Sequence, residues 1–586
     1  MRRRLFPGRA SVSMIPVALI VFVNTATGQT PFEPVTDAVL ARPADADWLQ
    51  WRRTYDGWAY SPLDQITRDN VGTLTLAWSR ALNDEGGVQL IPLVHAGVMY
   101  IPHPGGVVEA VDATTGDLIW QYRRPPPEGV LRPASTTRNI AIYDDKILYA
   151  APADGAVVAL DARTGSVVWE TEVHDNQRDR AFHSSGPIVV KGKVLTGRSC
   201  QPGGIRGGCF IAAHDADTGA ELWRAHTIAR PGEPGGDTWG GLPLEDRYHV
   251  SAWMPGTYDP ELDLVYWGTG VPGPYAAISR GVEPGAELLY SNSTLALDPD
   301  TGEIVWYYQH LPGDETDADY AHERILVDIT YEPSPELEWF NSDAAGERRR
   351  AVWAAGKAGT QFVLDRETGE FLWARPMLHQ NIITSIDESG RVTRNAANTH
   401  REFGDVLVVG PRAGKDWWYG AFSPLTGAVY QPLLNAWLEQ VSTEWSGTGQ
   451  ASIRRTIPSP DQTELAGMVK GFDVATGELL WEYKQNAPWL GGLVATGGGL
   501  LFGGDLNRRF RALDQETGEL LWETILNSRI TGGAISYAVD GRQYIAVAAG
   551  GGTFGSYETL TLSPELGLEA PSGSNTMFVF ALPEAR

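Results

Sequence analysis

The sequence predicts an all-β fold, an eight-bladed β-propeller, on three observations. The pattern Asp-x-x-Thr-Gly-x-x-x-Trp recurs along the chain, alternating apolar segments flank its copies, and glycine and proline are spread over the full length. A degenerate copy, SPLTGAVY, begins at Ser423. The intact copies begin at Asp112, Asp161, Asp215, Asp298, Asp365, Asp473 and Asp514. Counted with the degenerate one, these copies predict eight blades closed into a ring.

Each copy of the pattern predicts a β-hairpin. In the second copy, residues 155–160 and 166–169 alternate as strands do, and Thr164 and Gly165 lie at the tight turn between them. The repeated tryptophan stands where it can pack between neighbouring sheets. We therefore interpret one tryptophan per copy as structural: Trp120, Trp169, Trp223, Trp306, Trp373, Trp481 and Trp522.

The N-terminal segment has the features of a secretory signal peptide. Four arginines lie within the first nine residues, residues 14–23 are apolar, and small residues at 26–28 suit a cleavage site. The alternative, a retained membrane anchor, requires about 20 apolar residues, roughly twice this run. We expect residues 1–28 to be a signal peptide and residues 29–586 to form one propeller domain in the periplasm or outside the cell.

Charge and cysteine content narrow the function classes. Loss of residues 1–28 takes the formal net charge from −25 to −29, because the segment holds four arginines and no acidic residue. Such acidity argues against nucleic acid and anionic membranes as partners and would steer a basic redox protein, although it also serves solubility. Cys200 and Cys209 are the two cysteines, and behind an export signal they predict a disulfide in preference to a metal site.

Several segments outside the repeat are similar to the pyrroloquinoline quinone (PQQ) dependent alcohol and methanol dehydrogenases. They include WAYSPLDQI from Trp58, DTWGGLPLE from Asp237, YDPELDLVYWGTG from Tyr258, QFVLDRETG from Gln361 and DWWYGAFSPLTGAVY from Asp416. A generic propeller would share the Thr-Gly turns but not these loops. The resemblance covers nearly all of the expected mature chain and implies PQQ near the propeller axis.

PQQ is a flat tricarboxylate orthoquinone, so its site needs an aromatic floor, groups that bind carboxylates and a cation near the reactive carbonyl. The resemblance implies Trp253 as the floor and Lys357 as the cation beside the reduced quinone oxygens. It further implies Gln89, Arg138, Ser184, Trp417 and Trp489 as cofactor-binding residues. Gln89 stands where relatives have glutamate. For Arg138 the alternative is an ordinary strand-end arginine, and for Trp417 and Trp489 it is blade packing.

The resemblance also places the catalytic base at Asp317, with Asp319 at the extra aspartate of lanthanide-using relatives. The alternative is a solvated acidic loop. Two metal ligands of the family are replaced, an asparagine by Val271 and a glutamate by Pro202, and Arg132-Pro133 replaces an adjacent cysteine pair. Asp317 and Asp319 are then the candidate ligands for calcium or a lanthanide, and the incomplete shell leaves open whether either ion binds.

These features favour a PQQ-dependent oxidoreductase that oxidises a small-molecule alcohol. The sequence has no C-x-x-C-H motif for covalent haem, so electrons would pass to a separate soluble acceptor such as a cytochrome c. The alternative is a non-catalytic, PQQ-like propeller that serves as a binding or scaffold module. A hydrolase on this scaffold has no nucleophile motif to support it.

Overall fold

The computed structural model describes residues 32–83, 86–125, 136–152, 155–175, 181–200, 207–447, 449–460, 465–551, 561–567 and 575–584. Residues 34–586 form one compact unit, and of the other unit, residues 1–33, only the last two are described. The predicted signal peptide therefore lies outside the described residues, as do Pro202 and the Arg132-Pro133 pair.

Helices are few and short in the described chain. They are the α-helices Asp37–Ala41 and Ala277–Arg280 and the 3-10 helices Val71–Thr73, Gly236–Trp239, Leu244–Asp246 and Pro564–Leu566. None of the helices in these ranges is long and apolar enough to cross a bilayer.

Seven antiparallel sheets follow one another along the chain, each built from four strands in chain order. Their strands are Leu93–His95, Val98–His103, Val107–Asp112 and Leu118–Arg123 (blade 1); Ala141–Tyr143, Lys146–Ala150, Ala156–Asp161 and Val167–Glu172 (blade 2); Pro187–Val190, Lys193–Gly197, Phe210–Asp215 and Glu221–His226 (blade 3); Thr257–Asp259, Leu264–Gly268, Ser293–Leu297 and Ile304–Gln309 (blade 4); Arg324–Thr330, Arg348–Ala355, Thr360–Asp365 and Phe371–Pro376 (blade 5); Ala421–Ser423, Ala428–Leu434, Gly467–Asp473 and Leu479–Gln485 (blade 6); Val494–Thr496, Leu500–Gly504, Arg509–Asp514 and Leu520–Ile525 (blade 7).

An eighth sheet joins the two ends of the chain. Strands Ile530–Val539, Arg542–Ala549 and Thr576–Ala581 form three of its members, and Thr75–Ala81 adds to the last of these in antiparallel register. The backbone hydrogen bonds of this blade 8 close the ring. The predicted eight-bladed propeller is therefore confirmed among the described residues.

One step of the prediction was wrong, although the blade count was right. The degenerate copy at Ser423 does not mark a blade of its own, because Ser423 pairs with Ala428 in the first hairpin of blade 6. That blade already contains the copy at Asp473. Blade 8 takes its strands from both chain ends, so the repeat cannot run continuously through it.

Shorter strands extend or accompany the blades. Tyr60–Ser61 pairs in parallel with the first strand of blade 7, and Trp339–Phe340 pairs with the last strand of blade 5. Small sheets join Ala181–Phe182 with Ser199–Cys200, Tyr248–His249 with Pro272–Gly273, and Ile383–Ile386 with Val392–Arg394. A three-stranded sheet, here called the inserted sheet, comprises Val406–Val409, Ala436–Ser442 and Ser452–Pro458.

The repeated aspartate and glycine shape the outer turn of each blade. The Asp161 carboxylate accepts the backbone amides of Arg163 and Thr164, both at 3.0 Å. Such a side-chain cap replaces backbone hydrogen bonds in a tight turn. Gly165 follows with φ of +71°, a left-handed conformation that costs glycine nothing.

The repeated tryptophan links each blade to the next. Its indole Nε1 donates to a backbone carbonyl in the turn of the following blade. In every pair given below except that of Trp373, the ring also covers the glycine of that turn, where a Cβ would collide with it. The pairs are Trp78 with Ala113, Trp120 with Ala162, Trp169 with Ala216, Trp223 with Pro299, Trp306 with Arg366, Trp373 with Val474 and Trp481 with Gln515, at 2.9–3.3 Å. Trp522 packs against Phe580 of blade 8, with ring centres 5.5 Å apart. The structural role predicted for these tryptophans is confirmed.

Burial follows the position of a strand within its blade. In blade 2 the first three strands are almost wholly buried, whereas the fourth, Val167–Glu172, is largely exposed. The first strand therefore faces the propeller axis and the fourth faces solvent. In the connection between the second and third strands of blade 3, Cys200 and Cys209 form the predicted disulfide, with Cα atoms 5.9 Å apart.

The contact between blades 2 and 3 provides a test of this architecture. Replacement of Trp169 by Ala should lower the free energy of unfolding by about 2–4 kcal/mol, because it removes an inter-blade ring contact. Trp169→Phe keeps most of the packing but loses the 3.1 Å hydrogen bond to Ala216, so we expect about 1 kcal/mol. Urea unfolding followed by circular dichroism measures both. Wild-type stability in the alanine variant would contradict the assigned role.

Candidate active site

The predicted site residues share a place in the fold. Eight of the nine lie just before the axial strand of a blade, three to seven residues ahead of it: Gln89, Arg138, Ser184, Trp253, Asp317, Asp319, Trp417 and Trp489. Lys357 lies in the turn between the second and third strands of blade 5, which opens at the same end because adjacent strands are antiparallel. Residues far apart in sequence therefore converge at one end of the axis.

Three of these residues lie beside Trp253. The Arg138 guanidinium lies 4.9 Å from the ring centre, and the Lys357 ammonium lies 5.5 Å from it. Arg138 Nη1 donates to the Ser184 carbonyl at 2.8 Å, and Ser184 Oγ lies 3.5 Å from the Trp253 carbonyl. Two cations thus lie close to the partly exposed indole ring of Trp253.

Two buried hydrogen-bonding groups of the predicted site residues lack partners within the described protein. Arg138 Nε and the Gln89 side-chain oxygen are both buried without one. Burial lowers the pKa of Arg138 to about 10, so its guanidinium is charged at neutral pH. Gln89 is positioned through its backbone carbonyl, which accepts a hydrogen bond from the Tyr419 hydroxyl at 3.0 Å. An unpartnered donor beside an open aromatic face is suited to a carboxylate-bearing planar ligand.

The acidic loop is not a solvated surface feature. Glu315 and Glu323 are fully buried, and Asp319 is 4% exposed. The Asp314 carboxylate accepts the backbone amides that flank Asp317, and Asp317 itself takes a left-handed φ of +64°. A non-glycine residue in this region indicates a backbone held by its surroundings.

Lys357 joins the two aspartates of the loop. Its Nζ lies 3.2 Å from Asp317 Oδ1 and 2.6 Å from Asp319 Oδ2. Burial would lower the pKa of Lys357, but the carboxylates outweigh it and raise that pKa well above its ordinary value. Burial and then the charge of Asp317 raise the pKa of Asp319.

Arg454 is a site residue that the sequence did not reveal. It comes from the last strand of the inserted sheet and donates from Nη1 to Asp317 Oδ2 at 2.8 Å, with its guanidinium 5.0 Å from the ring centre of Tyr275. Burial would raise the pKa of Asp317, but Lys357 and Arg454 outweigh it and lower that pKa. Arg454 lies in the longest gap between repeats, where no motif marks it.

A second layer of charge supports the site. The His322 ring packs edge-on against Trp253 at 5.1 Å, and its Nε2 lies 3.2 Å from Asp416 Oδ1. Glu323, the next residue, forms a fully buried ion pair with Lys415. Sequence reasoning also missed these residues, although Asp416 opens one of the family-like segments.

Trp417 and Trp489, both predicted to bind the cofactor, differ in their surroundings. Trp417 is 7% exposed and donates to the Thr531 carbonyl at 3.3 Å, and Thr531 in turn bonds the Val88 carbonyl, so Trp417 lies near the Gln89 segment. Trp489 has no exposed surface and packs with Arg511 in blade 7. A fully enclosed ring offers no face to a ligand, and blade packing describes the position of Trp489.

The site fits PQQ but not a metal ion. Trp253 offers a partly exposed aromatic ring, Arg138 a buried N–H donor without a partner, and Lys357 a cation, which are the kinds of group that the cofactor requires. By contrast, the part of the chain that the structure describes holds no group of three or more histidine, cysteine, aspartate or glutamate side chains arranged for a metal. Val271 supplies only a backbone N–H, which donates to Asp319 Oδ1 at 2.8 Å.

The buried pair beneath the site predicts a pH dependence of stability. Burial would raise the pKa of Glu323, but Lys415, Arg52 and the Gly420 amide bring it down from 4.5 to about 2. A lowered carboxyl pKa gives stability that is complete above pH 4.5 and is lost as the pH falls toward 2. Unfolding free energies across this range should decline less steeply for the Glu323→Gln/Lys415→Met double variant. Parallel curves would contradict this.

Comparison with known proteins gives the same family as the geometry. Residues 48–377 and 485–545 match the PQQ-containing glucose/ethanol/alcohol dehydrogenase β-propeller domain. The quinohemoprotein alcohol dehydrogenase of Comamonas testosteroni is 32% identical over 543 residues, which cover 87% of this chain and 73% of that protein. The 1-butanol dehydrogenase (cytochrome c) of Thauera butanivorans is 32% identical over 561 residues, covering 89% and 77%.

Solved structures agree. A quinohemoprotein alcohol dehydrogenase, ADHIIG from Pseudomonas putida HK5, superposes with a TM-score of 0.83 at 29% identity, covering 94% of this chain and 84% of its own. A europium-containing methanol dehydrogenase gives 0.80 at 28% identity, covering 93% and 99%. The matched residues span most of the propeller and the loops that form the site. The chain belongs to the family of PQQ-dependent quinoprotein alcohol dehydrogenases.

Proposed function

We propose that this protein oxidises a small-molecule alcohol with PQQ and passes the electrons to a separate soluble acceptor such as a cytochrome c. The observation that carries the proposal is the convergence of Trp253, Arg138, Lys357 and Asp317 at one end of the propeller axis. Relatives named as dehydrogenases support an enzyme over a non-catalytic binding propeller. The signal-like segment at residues 1–28 supports export to the periplasm.

Trp253, Arg138 and Lys357 would each hold the cofactor through a different kind of contact. When bound, PQQ supplies the acceptor for the hydride equivalent of the alcohol. The exposed face of Trp253 gives a flat apolar surface, and Arg138, with its unpartnered Nε, binds and orients a carboxylate. Lys357 holds positive charge 5.5 Å from the Trp253 ring, where it stabilises negative charge that develops during reduction.

Asp317 is the candidate base for the alcohol proton. It is ionised at neutral pH because Lys357 and Arg454 lower its pKa, so its carboxylate can accept a hydrogen bond from a hydroxyl group. Its left-handed backbone conformation and the Asp314 cap fix the direction of the side chain. Asp319, held by Val271 and Lys357, orients the lysine.

Replacement of Trp253 by Ala should abolish PQQ binding while leaving the melting temperature close to wild type, because the ring is partly exposed and supports a ligand more than the core. Trp169→Ala is the matched control and should show the reverse, with normal PQQ affinity and lower stability. PQQ titration followed by tryptophan fluorescence, together with thermal melting, separates the two. Unchanged PQQ affinity in Trp253→Ala would reject the floor assignment.

Asp317→Asn should retain PQQ but lose alcohol oxidation, because the amide keeps size and polarity yet cannot take the proton. We expect at least about a hundredfold loss of dye-linked turnover, in the range for removal of a general base. Asp314→Asn is unsuitable as a control because Asp314 caps the same loop. Asp328→Asn, an exposed carboxylate paired with Arg366, should retain activity. Full turnover by Asp317→Asn would exclude this base.

A further inference from the structure

All four carboxylate oxygens of Asp317 and Asp319 already accept N–H donors. Lys357 Nζ donates to Asp317 Oδ1 and Asp319 Oδ2. Arg454 donates to Asp317 Oδ2, and the Val271 backbone amide donates to Asp319 Oδ1. Calcium and related hard cations require six or more oxygen ligands with free lone pairs directed at the ion. Each of these oxygens has one of its two lone pairs engaged, so the pair keeps room for the hydroxyl hydrogen bond proposed for Asp317 but does not supply the shell of six or more free oxygens that such an ion needs.

Two cations already neutralise this pair of aspartates. The Asp317 and Asp319 carboxylates contact one ammonium and one guanidinium at 2.6–3.2 Å, the distances of direct ion pairs, and Asp416 adds a third carboxylate 3.9 Å from the ammonium. A multivalent cation placed between Asp317 and Asp319 would lie beside two positive side chains that repel it. The guanidinium cannot be removed by deprotonation, because arginine stays charged in proteins.

Arg454 is built into this position. Its backbone pairs with Gln440 on the neighbouring strand of the inserted sheet, and the Gln440 amide donates to the Glu315 carbonyl at 2.7 Å. The Tyr275 amide donates to the Gln450 carbonyl at 3.3 Å. The inserted sheet is thus fastened to the loop that carries Asp317 and to the segment beside it.

The loop that carries Asp317 is held in place by a buried ion pair. Glu315 is fully buried, and its carboxylate lies 3.2 Å from both Arg394 and His400. A fully buried carboxylate with two cationic or hydrogen-bonding partners resists displacement, because loss of a partner would leave its charge unpaired. The distance between Asp317 and Arg454 is therefore set by packing on both sides.

We propose that Arg454 takes the place of the metal ion, so that this protein binds PQQ without calcium or a lanthanide. The proposal rests on the PQQ-dependent function argued above. It makes Arg454 a positioning residue that acts through Asp317, and it assigns to the inserted sheet a role in the active site.

PQQ titration of metal-stripped protein tests this directly. In chelator, the wild type should bind PQQ with the same affinity as in calcium, within about twofold, whereas Arg454→Ser should bind at least about tenfold more weakly, since it leaves buried negative charge unpaired. Arg455→Ser is the matched control, because Arg455 is the next residue on the same strand, 62% exposed and paired with Glu439. It should behave as wild type. PQQ binding that requires added metal, or equal affinities for Arg454→Ser and wild type in chelator, overturns the proposal.

Terbium luminescence gives a readout that does not depend on PQQ. With tryptophan excitation, the apoprotein should show no saturable terbium signal that is sensitive to Asp319→Asn. A saturable signal that this substitution abolishes would overturn the proposal. Failure of the wild type to bind PQQ under any condition would instead reject the proposed function, and the terbium titration still decides the metal question. Both wild-type measurements stand even if Arg454→Ser does not fold.

Discussion

The contact of each repeated tryptophan with the turn of the next blade is the interaction on which the molecule depends. In most blades it joins consecutive sheets through one hydrogen bond and one ring packed on a glycine. The site residues lie on separate blades, so their mutual distances are set by these outer contacts and by the closure of blade 8. A substitution at one of these outer contacts therefore alters the distances between site residues at the axis. The sheets transmit the shift because their buried inner strands are closely packed.

Buried charge at the axial end has to be compensated within the protein. Glu323 with Lys415, Glu315 with Arg394, and Asp317 with Lys357 and Arg454 show a common solution, in which each carboxylate has a cation in contact. Such pairs cost desolvation and are weak sources of stability. Their value here is geometric: they hold polar side chains in defined positions around the Trp253 ring, in a place that water would otherwise fill.

Periodicity and family resemblance predicted the blades well and the site in part. The turn needs Asp, Thr and Gly at fixed offsets, so the repeat is visible in the sequence, and positions just ahead of the axial strands are shared across a family that binds one cofactor. Blade 8 was misassigned because its strands come from both chain ends. Trp489 is enclosed by its neighbours, which no pattern of residues indicates. Arg454 reaches Asp317 across about 137 residues of sequence, from an insertion without a repeat.

The inserted sheet shows how a conserved scaffold accommodates a change at its centre. The blades cannot easily supply a new cation near Asp317, because residues before the axial strands are already engaged with Trp253, with one another or with blade packing. Two strands of the inserted sheet lie between the second and third strands of blade 6 and the other precedes blade 6, so the sheet leaves the contact of Trp481 with the turn of blade 7 intact. It also enters from the end of the propeller where the site opens, and so can present a long side chain to the Asp317 loop. A guanidinium suits this task, since it keeps its charge when buried and donates to a carboxylate and an aromatic neighbour together.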